Sequence, residues 1–196
     1  MTSIIRPIGA GEETPLAAVL AGALAGDPFI RWIAGDDHAR AVTWMRAGIE
    51  LARRHGIVLV DDALRGGALL LAPGQTPAPL QTNLALLPLM IRTVGLRRLP
   101  GVLRALAAIE HAHPDEPHWT GLVLGVDAAA RGTGVGYALI EAAMDRVRRD
   151  EVGAYLEVSE GGPAALYERF GFAPLRRLAP PGGAPAMRTM WRPASP

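Results

Sequence analysis

The amino-acid sequence predicts a single domain of the α/β class. Short apolar runs that contain β-branched residues, at 57–60 and 122–126, have the length of buried strands. Longer stretches with apolar residues at helical spacing, at 12–26 and 135–149, alternate with such runs. The 196 residues are enough to bury a sizeable core, and we expect one domain over 1–196.

The remaining elements follow in chain order. We expect a short turn or helix at 29–33. A longer helix should begin at Asp36 or Asp37, either of which is a suitable N-cap, and end at Gly56. A short helix is expected at 162–170. Residues 76–117 have prolines at both ends and helical patterning between them, which predicts one or two helices inserted before the central strand. The predicted strands are Ile4–Ile8, Ile57–Val60, Gly66–Leu71, Leu122–Val126, Ala154–Val158, Phe172–Leu178 and Ala186–Trp191.

Composition excludes several functional classes. Lys and Arg number 20 against 19 Asp and Glu, which argues against a bulk electrostatic nucleic-acid binder. The absence of cysteine excludes disulfides, thiolate nucleophiles and cysteine zinc sites. The histidines show no ligand spacing, so we expect no metal. The N-terminal sequence lacks signal-peptide order and no apolar run has the length of a membrane span, so we expect a cytoplasmic protein without membrane partners.

The most informative stretch is the glycine-rich turn after the strand at 122–126. Three glycines fall within Arg131–Gly136, and helical spacing begins at Val135. Glycine lets the backbone bend freely and lets a ligand approach the amides closely. The first N–H groups of a helix have no internal partner and carry partial positive charge. This turn therefore predicts a phosphate-binding loop.

Three nucleotide-binding patterns compete for this turn. A P-loop requires a Gly-Lys-Ser/Thr run, and no lysine is present here. A dinucleotide fingerprint requires a third glycine where Tyr137 stands. The pattern Arg-x-x-Gly-x-Gly, which follows a strand and opens a helix, is matched at every position by Arg131, Gly134 and Gly136.

With this loop the chain resembles the GNAT acetyltransferase superfamily. A second motif, LYERFGF at Leu166–Phe172, looks like the late helix-to-strand segment of that family and lies at the usual distance from the loop. Other features resemble a subgroup similar to puromycin N-acetyltransferase: Asp27-Pro28, Pro73-Gly74, His118-Trp119, Tyr155-Leu156-Glu157, Met187 and Trp191. Two positions depart from the family pattern. Pro163 occupies a position where the subgroup often has Asn, and Thr133 one where the family often has Lys.

The resemblance implies a GNAT fold, with a mixed, mostly antiparallel sheet of about seven strands flanked by helices. It also implies that acetyl-coenzyme A is bound, with its pyrophosphate on the glycine loop and its pantetheine arm along the central strand. Gly125 is expected to form a β-bulge where that strand splays from Ala154–Val158. The implied cofactor-binding residues are Leu124, Val126, Arg131, Gly132, Thr133, Gly134, Val135, Gly136 and Tyr137.

The same resemblance implies transfer of an acetyl group to a primary amine of a small molecule, by direct attack without a covalent enzyme intermediate. Tyr167 would protonate the departing thiolate, because a phenol has a pKa near that of a thiol. Glu157 or His118 would take the amine proton. A backbone N–H of the central strand, that of Val126, would stabilise the oxyanion.

Other interpretations stay open at this point. Glu157 can equally pair with an arginine, and His118 and Tyr167 can be structural. The proline at 163 leaves room for a non-catalytic acetyl-CoA-binding or regulatory module, and a longer acyl donor is a further alternative. The acceptor pocket is expected to involve Trp32, Trp44, Met45 and the insertion, whose arginines either favour an acidic acceptor or solvate a helix face. Oligomeric state is open, a homodimer included.

Overall fold

A computed structural model of the protein describes residues 3–75 and 80–194, and at 80–85 it describes the backbone alone. The strands are β1 (Ile5–Pro7), β2 (Gly56–Asp61), β3 (Gly66–Leu71), β4 (His118–Val126), β5 (Gly153–Ser159), β6 (Ala173–Leu178) and β7 (Met187–Arg192). The helices are α1 (Glu13–Ala23), α2 (Pro28–Ala34), α3 (His38–His55), α4 (Leu80–Val94), α5 (Leu99–Glu110), α6 (Val135–Arg149) and α7 (Ala164–Glu168). The predicted α/β class is confirmed, and the predicted insertion consists of two helices, α4 and α5.

Acidic side chains fix where two of the helices begin. Oδ1 of Asp27 accepts hydrogen bonds from the backbone N–H groups of Phe29 and Ile30, at 2.8 and 3.1 Å, and Pro28 occupies the first position of α2. Asp37 caps α3 by accepting from the N–H of Arg40, which decides between the two predicted caps. No single helix in the described ranges is long and apolar enough to span a membrane, although α1 and α2, bent by 116°, pass that test together.

The seven strands form one mixed sheet in the order β1-β2-β3-β4-β5-β7-β6. All neighbours are antiparallel except β4 and β5. These two strands pair at only four positions, from His118 opposite Gly153 to Gly121 opposite Leu156. Residues 123–126 of β4 pair with β3 but not with β5, so a cleft opens inside the sheet.

The β-bulge of β4 lies at Leu122, and the predicted bulge at Gly125 is wrong. Val123 pairs with Leu69 and Gly121 with Leu70, which leaves Leu122 as the extra residue. Gly125 stays in regular pairing with Gly67. Its lack of a side chain serves the close approach of α1 instead, because an added Cβ would stand 2.8 Å from Cδ2 of Leu20.

Helices cover both faces of the sheet. Helix α6 packs on one face, where it buries Leu139, Ala143 and Val147 against Ala154, Leu156 and Val158 of β5. Helices α1 and α3 cover the other face in a second cluster that includes Leu16, Leu20 and Ile49. The alternation predicted for β5 is therefore correct. The helices of the insertion join this second side through contacts among Ile33 of α2, Val94 of α4 and Val102 of α5.

Candidate functional site

The glycine loop connects the end of β4 to α6. After Val126 a short 3-10 turn at Ala128–Ala130 is capped by Asp127, whose Oδ1 accepts from the N–H of Ala129 at 2.8 Å. The chain then turns through Gly132 and Gly134, which have φ angles of 77° and 92°. Only glycine adopts such angles without strain, so the glycines are what allow α6 to begin directly at Val135.

The amides at the start of α6 are available to a ligand. No described residue accepts a hydrogen bond from the N–H of Gly134, Val135, Gly136 or Tyr137. The N–H and hydroxyl of Thr133 are already used, since both donate to the carbonyl of Ala130, at 3.3 and 2.7 Å. The predicted phosphate cradle is therefore narrower than the sequence implied and consists of the four amides from Gly134 to Tyr137.

Two side chains of the predicted cofactor set contact neighbouring segments. Nη2 of Arg131 donates a 2.8 Å hydrogen bond to the carbonyl of Ala23, which attaches the loop to the end of α1. Tyr137 is 47% exposed, and its ring lies 4.7 Å from that of Phe170, just after α7. Both side chains thus border the loop while its backbone stays open.

The backbone of β4 directs polar groups into the cleft at alternate residues. The N–H of Asp127 donates to the carbonyl of Arg65, and Gly125 and Val123 continue this register opposite Gly67 and Leu69. In an antiparallel ladder hydrogen-bonded and non-hydrogen-bonded pairs alternate. The N–H and C=O groups of Leu124 and Val126 therefore face away from β3, towards the unpaired side. These are the two strand residues that the sequence analysis selected for the cofactor.

Two cavities meet at the cleft. A narrow cavity of about 80 Å³ lies on the α6 side of the sheet, and a larger one of about 400 Å³ lies on the side of α1 and α3. Leu122, Val123, Leu124, Glu157 and Tyr167 line both of them. The cleft thus brings two of the three predicted catalytic residues together with the unpaired part of β4.

Tyr167 lines both cavities. The residue is half-buried, its ring lies 6.0 Å from that of Phe172, and its hydroxyl bonds to no described residue. Burial raises the pKa of Tyr167 to about 12. The phenol is therefore protonated at neutral pH and able to donate a hydrogen bond or a proton.

Glu157 belongs to a chain of polar groups that ends on the backbone. Its Oε1 lies 3.3 Å from Nε2 of His113, whose Nδ1 lies 3.1 Å from Nε2 of His118. Nδ1 of His118 lies 2.6 Å from the carbonyl oxygen of Glu116. His113 lines the large cavity, whereas the predicted His118 is buried behind it. Burial lowers the pKa of His118, which favours its neutral form.

Tyr155 also belongs to this cluster of side chains. The residue is fully buried, its ring lies 4.2 Å from that of His113, and its hydroxyl has no hydrogen-bond partner of good geometry among the described residues. Burial and the nearby carboxylate of Glu157 raise the pKa of Tyr155, so its phenol stays neutral. Trp191 of β7 contacts the ring of His118 edge-on, with the ring centroids 5.7 Å apart.

The large cavity is apolar with acidic groups in its wall. Described residues that line it include neither Lys nor Arg, but they include three carboxylates, Asp27, Glu110 and Glu157. Burial raises the pKa of Glu110. The apolar lining comes mainly from the helices: Phe29, Ile30, Trp44, Leu51, Leu86, Met90, Leu106 and Ile109.

The pocket predictions from the sequence are accordingly mixed. Trp44 lines the large cavity, but Trp32 and Met45 do not. Met45 is buried in the core under α3, and Trp32 packs against Phe29. Arg98 donates to the backbone carbonyls of α2, and none of the arginines of the insertion lines the cavity.

The sequence analysis missed His113 as a member of the site. The sequence singles out His118, and the other histidines, His113 among them, were considered only as a group without metal-ligand spacing. The single local signal was a pair of histidines five positions apart next to a strand. Over 3–75 and 80–194, no group of three or more His, Cys, Asp and Glu side chains is placed to hold a metal ion.

Comparison with known proteins finds a family match in part of the chain. Residues 97–174 match the family described as acetyltransferase (GNAT) domain. A mycothiol acetyltransferase from Beutenbergia cavernae is 30% identical over 177 residues, which are 87% of this chain and 53% of that protein. The chain spans about half the length of this curated relative.

Solved structures agree with this match. A histone acetyltransferase and related acetyltransferase from Corynebacterium glutamicum is 27% identical with a TM-score of 0.77, and the alignment covers 100% of this chain and 98% of that one. A polyamine N-acetyltransferase from Drosophila melanogaster has 17% identity and a TM-score of 0.67, over 98% of this chain and 100% of that one, and shares the fold. The GNAT fold implied by the resemblance is confirmed.

Proposed function

We propose that this chain, which contains a GNAT acetyltransferase domain, transfers an acetyl group from acetyl-coenzyme A to the primary amine of a small molecule. One observation carries the proposal. The unpaired side of β4 leads directly to the four free amides of the glycine loop, and Glu157 and Tyr167 line both cavities at the same cleft. Donor binding and proton transfer are thereby supplied at one place.

The residues present fit acetyl-coenzyme A as the donor. The amides from Gly134 to Tyr137, at the positive end of α6, would hold its pyrophosphate. The outward N–H and C=O groups of Leu124 and the C=O group of Val126 would hold the amide groups of its pantetheine arm, which leaves the N–H of Val126 for the reacting carbonyl. When bound, the thioester supplies an activated acetyl group.

The acceptor is proposed to be a cationic amine on an apolar body. The large cavity offers aromatic and aliphatic walls together with three carboxylates, a combination that attracts an ammonium group and accommodates a hydrocarbon or aromatic frame. Lys and Arg are absent from its described lining, which disfavours the acidic acceptor left open by the sequence. The names of two similar proteins, a polyamine and a mycothiol acetyltransferase, are in keeping with acceptors of low molecular weight.

The subgroup similar to puromycin N-acetyltransferase stays a prediction. It rests on scattered sequence features, and the apolar cavity with Trp44 in its wall supports an acceptor of aromatic character. The cytoplasmic location likewise stays a proposal.

In the proposed mechanism the chain first positions its two substrates next to each other, which contributes much of the acceleration. Glu157 accepts the proton of the bound ammonium, directly or through water, and the free amine attacks the carbonyl carbon. A cleft-facing N–H of β4, that of Val126, stabilises the negative charge that develops on the carbonyl oxygen. Tyr167 then donates its phenolic proton to the sulfur as the C–S bond breaks, and the second proton that the nitrogen loses on becoming an amide restores the phenol.

The test combines a binding and a turnover measurement. The melting temperature is expected to rise with millimolar acetyl-coenzyme A, because a ligand that binds only the folded state stabilises it. Free thiol should then appear on addition of an apolar primary amine, such as phenethylamine, and more slowly with a zwitterionic amino acid. Thermal stabilisation without thiol release from any amine would support the non-catalytic binding module instead. Absence of stabilisation would contradict both functions.

A further inference from the structure

We propose that His113 receives, by way of Glu157, the proton that the acceptor amine loses, and that His118 holds His113 in the tautomer which this transfer requires. The inference rests on the proposed function and names a proton-accepting residue for the same site. It starts from three short distances and from the hydrogen-bonding capacity of the groups that they join.

The first step concerns the tautomer of His118. Its Nδ1 lies 2.6 Å from the backbone carbonyl of Glu116, and a carbonyl oxygen only accepts. Nδ1 of His118 must therefore carry a hydrogen. Burial, which lowers the pKa of this imidazole, disfavours a second proton, so that Nε2 is left as an acceptor.

The second step transmits this constraint to His113. Nδ1 of His113 lies 3.1 Å from Nε2 of His118, so it is the His113 nitrogen that donates. In neutral His113 the remaining nitrogen, Nε2, then has a lone pair and no hydrogen. That nitrogen faces Oε1 of Glu157 at 3.3 Å, and Oε1 is buried without another hydrogen-bond partner.

The third step concerns Oε1 of Glu157 and Nε2 of His113, two hydrogen-bond acceptors that face each other. A carboxylate oxygen and a bare imidazole nitrogen repel one another, and a single proton between them turns this repulsion into an ion pair. Without that proton the pair is a proton acceptor in the wall of the large cavity, which both His113 and Glu157 line.

The transfer balances in atoms and charge. One N–H bond of the bound ammonium breaks, and its electron pair stays on the nitrogen as the lone pair that attacks the carbonyl. The proton passes over the Glu157 carboxylate and forms a new N–H bond at Nε2 of His113. One positive charge thus moves from the ammonium to the imidazolium, and no co-reactant is needed.

The groups around His113 divide into two sets. The carboxylates of Glu157 on β5 and Glu110 on α5 interact with His113, and Glu116 in the same loop interacts with His118. His118 is the neutral neighbour of His113. Arg176 of β6, which lies near Tyr155, is the positively charged one. When His113 and Glu157 already share a proton from the solvent, they cannot accept another from the substrate. Turnover should therefore fall as the pH decreases.

The activity test compares His113→Gln with His111→Gln. Glutamine keeps hydrogen bonding at position 113 but cannot hold the proton, so we expect kcat/KM for the amine to fall about 100-fold near neutral pH. The acidic limb of the pH profile should move or disappear, while stabilisation by acetyl-coenzyme A is kept. His111 is exposed and bonds through Nδ1 to the carbonyl of Ala107, outside the cavity, so His111→Gln should keep the wild-type profile.

A second measurement does not depend on any variant. Nitrogen-15 spectra of the wild-type imidazoles report tautomers directly, and they should show neutral His118 with its hydrogen on Nδ1. A hydrogen on Nε2 of His118 would overturn the relay, as would a His113→Gln profile that coincides with that of the wild type. A wild-type protein that acetylates no amine would instead overturn the proposed function.

Discussion

Gly125 of β4 lies so close to Leu20 of α1 that an added Cβ would stand 2.8 Å from Cδ2 of Leu20 and 3.2 Å from Cβ of Ala23. Gly125→Ala is therefore expected to lower the free energy of unfolding by about 1–3 kcal/mol, the usual cost of overpacking. Leu20→Ala, at a fully buried position, should lower it by about 2–5 kcal/mol. In the double variant the smaller side chain makes room for the new methyl group, so urea denaturation should give a loss below the sum of the two.

Gly22→Ala is the matched control for this series. Gly22 also lies in the α1 region, but no atom is within 4 Å of the position that its Cβ would take. Its replacement should raise stability by about 0.5–1 kcal/mol through helix propensity. Strictly additive losses for Gly125→Ala and Leu20→Ala would show that the two residues do not oppose each other.

Tyr167→Phe removes a hydroxyl that bonds to no described residue and leaves the ring in place. We expect kcat to fall by about 10²-fold or more, because the leaving thiolate loses its proton donor. The rise in melting temperature with acetyl-coenzyme A should stay as in the wild type, and this binding measurement serves as the control. Wild-type turnover in Tyr167→Phe would remove this residue from the mechanism and leave the rest of the proposal intact.

Gly134→Ala tests the glycine loop. The residue has a φ of 92°, which costs a side-chain-bearing residue about 1–2 kcal/mol, and no atom lies within 4 Å of the added Cβ. Relief of this backbone strain would shift the free amides that follow, so titration calorimetry should show an affinity for acetyl-coenzyme A that is reduced about tenfold, or by about 1.4 kcal/mol.

Gly11→Ala is the control that separates the effect of backbone strain from an effect on the binding of acetyl-coenzyme A. Gly11 has a φ of 83° and equally open surroundings, but it lies in the turn before α1. Its replacement should lower the melting temperature about as much as Gly134→Ala while leaving the affinity for acetyl-coenzyme A unchanged. Equal affinities in the two variants would argue against phosphate binding at the loop.

Glu12 predicts a pH-dependent contribution to stability. Its carboxylate forms two hydrogen bonds with Arg6, at 2.7 and 2.8 Å, and accepts from the N–H of Gly9 at 2.7 Å. Arg6, and then the Gly9 amide, lower the pKa of Glu12 from 4.5 to about 2. Because the folded pKa is below the unfolded one, the stabilisation is complete above the unfolded value and is lost as the pH falls towards the folded one.

The melting temperatures of the wild type and Glu12→Gln should accordingly differ most near neutral pH and converge below the unfolded pKa of Glu12. Glu141→Gln, on the exposed side of α6, provides the control and should follow the wild type throughout. A difference that persists undiminished in strong acid would mean that the contribution of Glu12 is not electrostatic.

Local patterns were sufficient to predict most of the fold. The helix from Val135 and the alternation in β5 follow from periodicities that each segment contains in itself. The glycine loop was recognisable because its function needs backbone angles that only glycine adopts easily, as at Gly134. The fold class and the phosphate-binding loop could therefore be predicted from the sequence.

Residues whose roles depend on contacts with distant parts of the sequence could not be predicted in this way. A glycine inside a strand fits a bulge or a close approach equally well, and only the position of α1 decides for Gly125. His113 gains its role from His118, five residues away, and from Glu157, 44 residues away, which the fold brings together. Arg131 looked like a phosphate ligand, but its partner is the end of a helix more than 100 residues earlier.

Among the described strands, the four paired positions between β4 and β5 are the only pairing that joins the two parts of the sheet. β4 and the loop that would bind the donor lie on one side of this pairing, and Glu157 on β5 and Tyr167 on α7 lie on the other. Helix α6 packs against β5 and is a second connection between the two sides. Substitutions at the four paired positions would therefore shift Glu157 relative to β4 while the amides at the start of α6 keep their place, so they should slow turnover before they weaken donor binding.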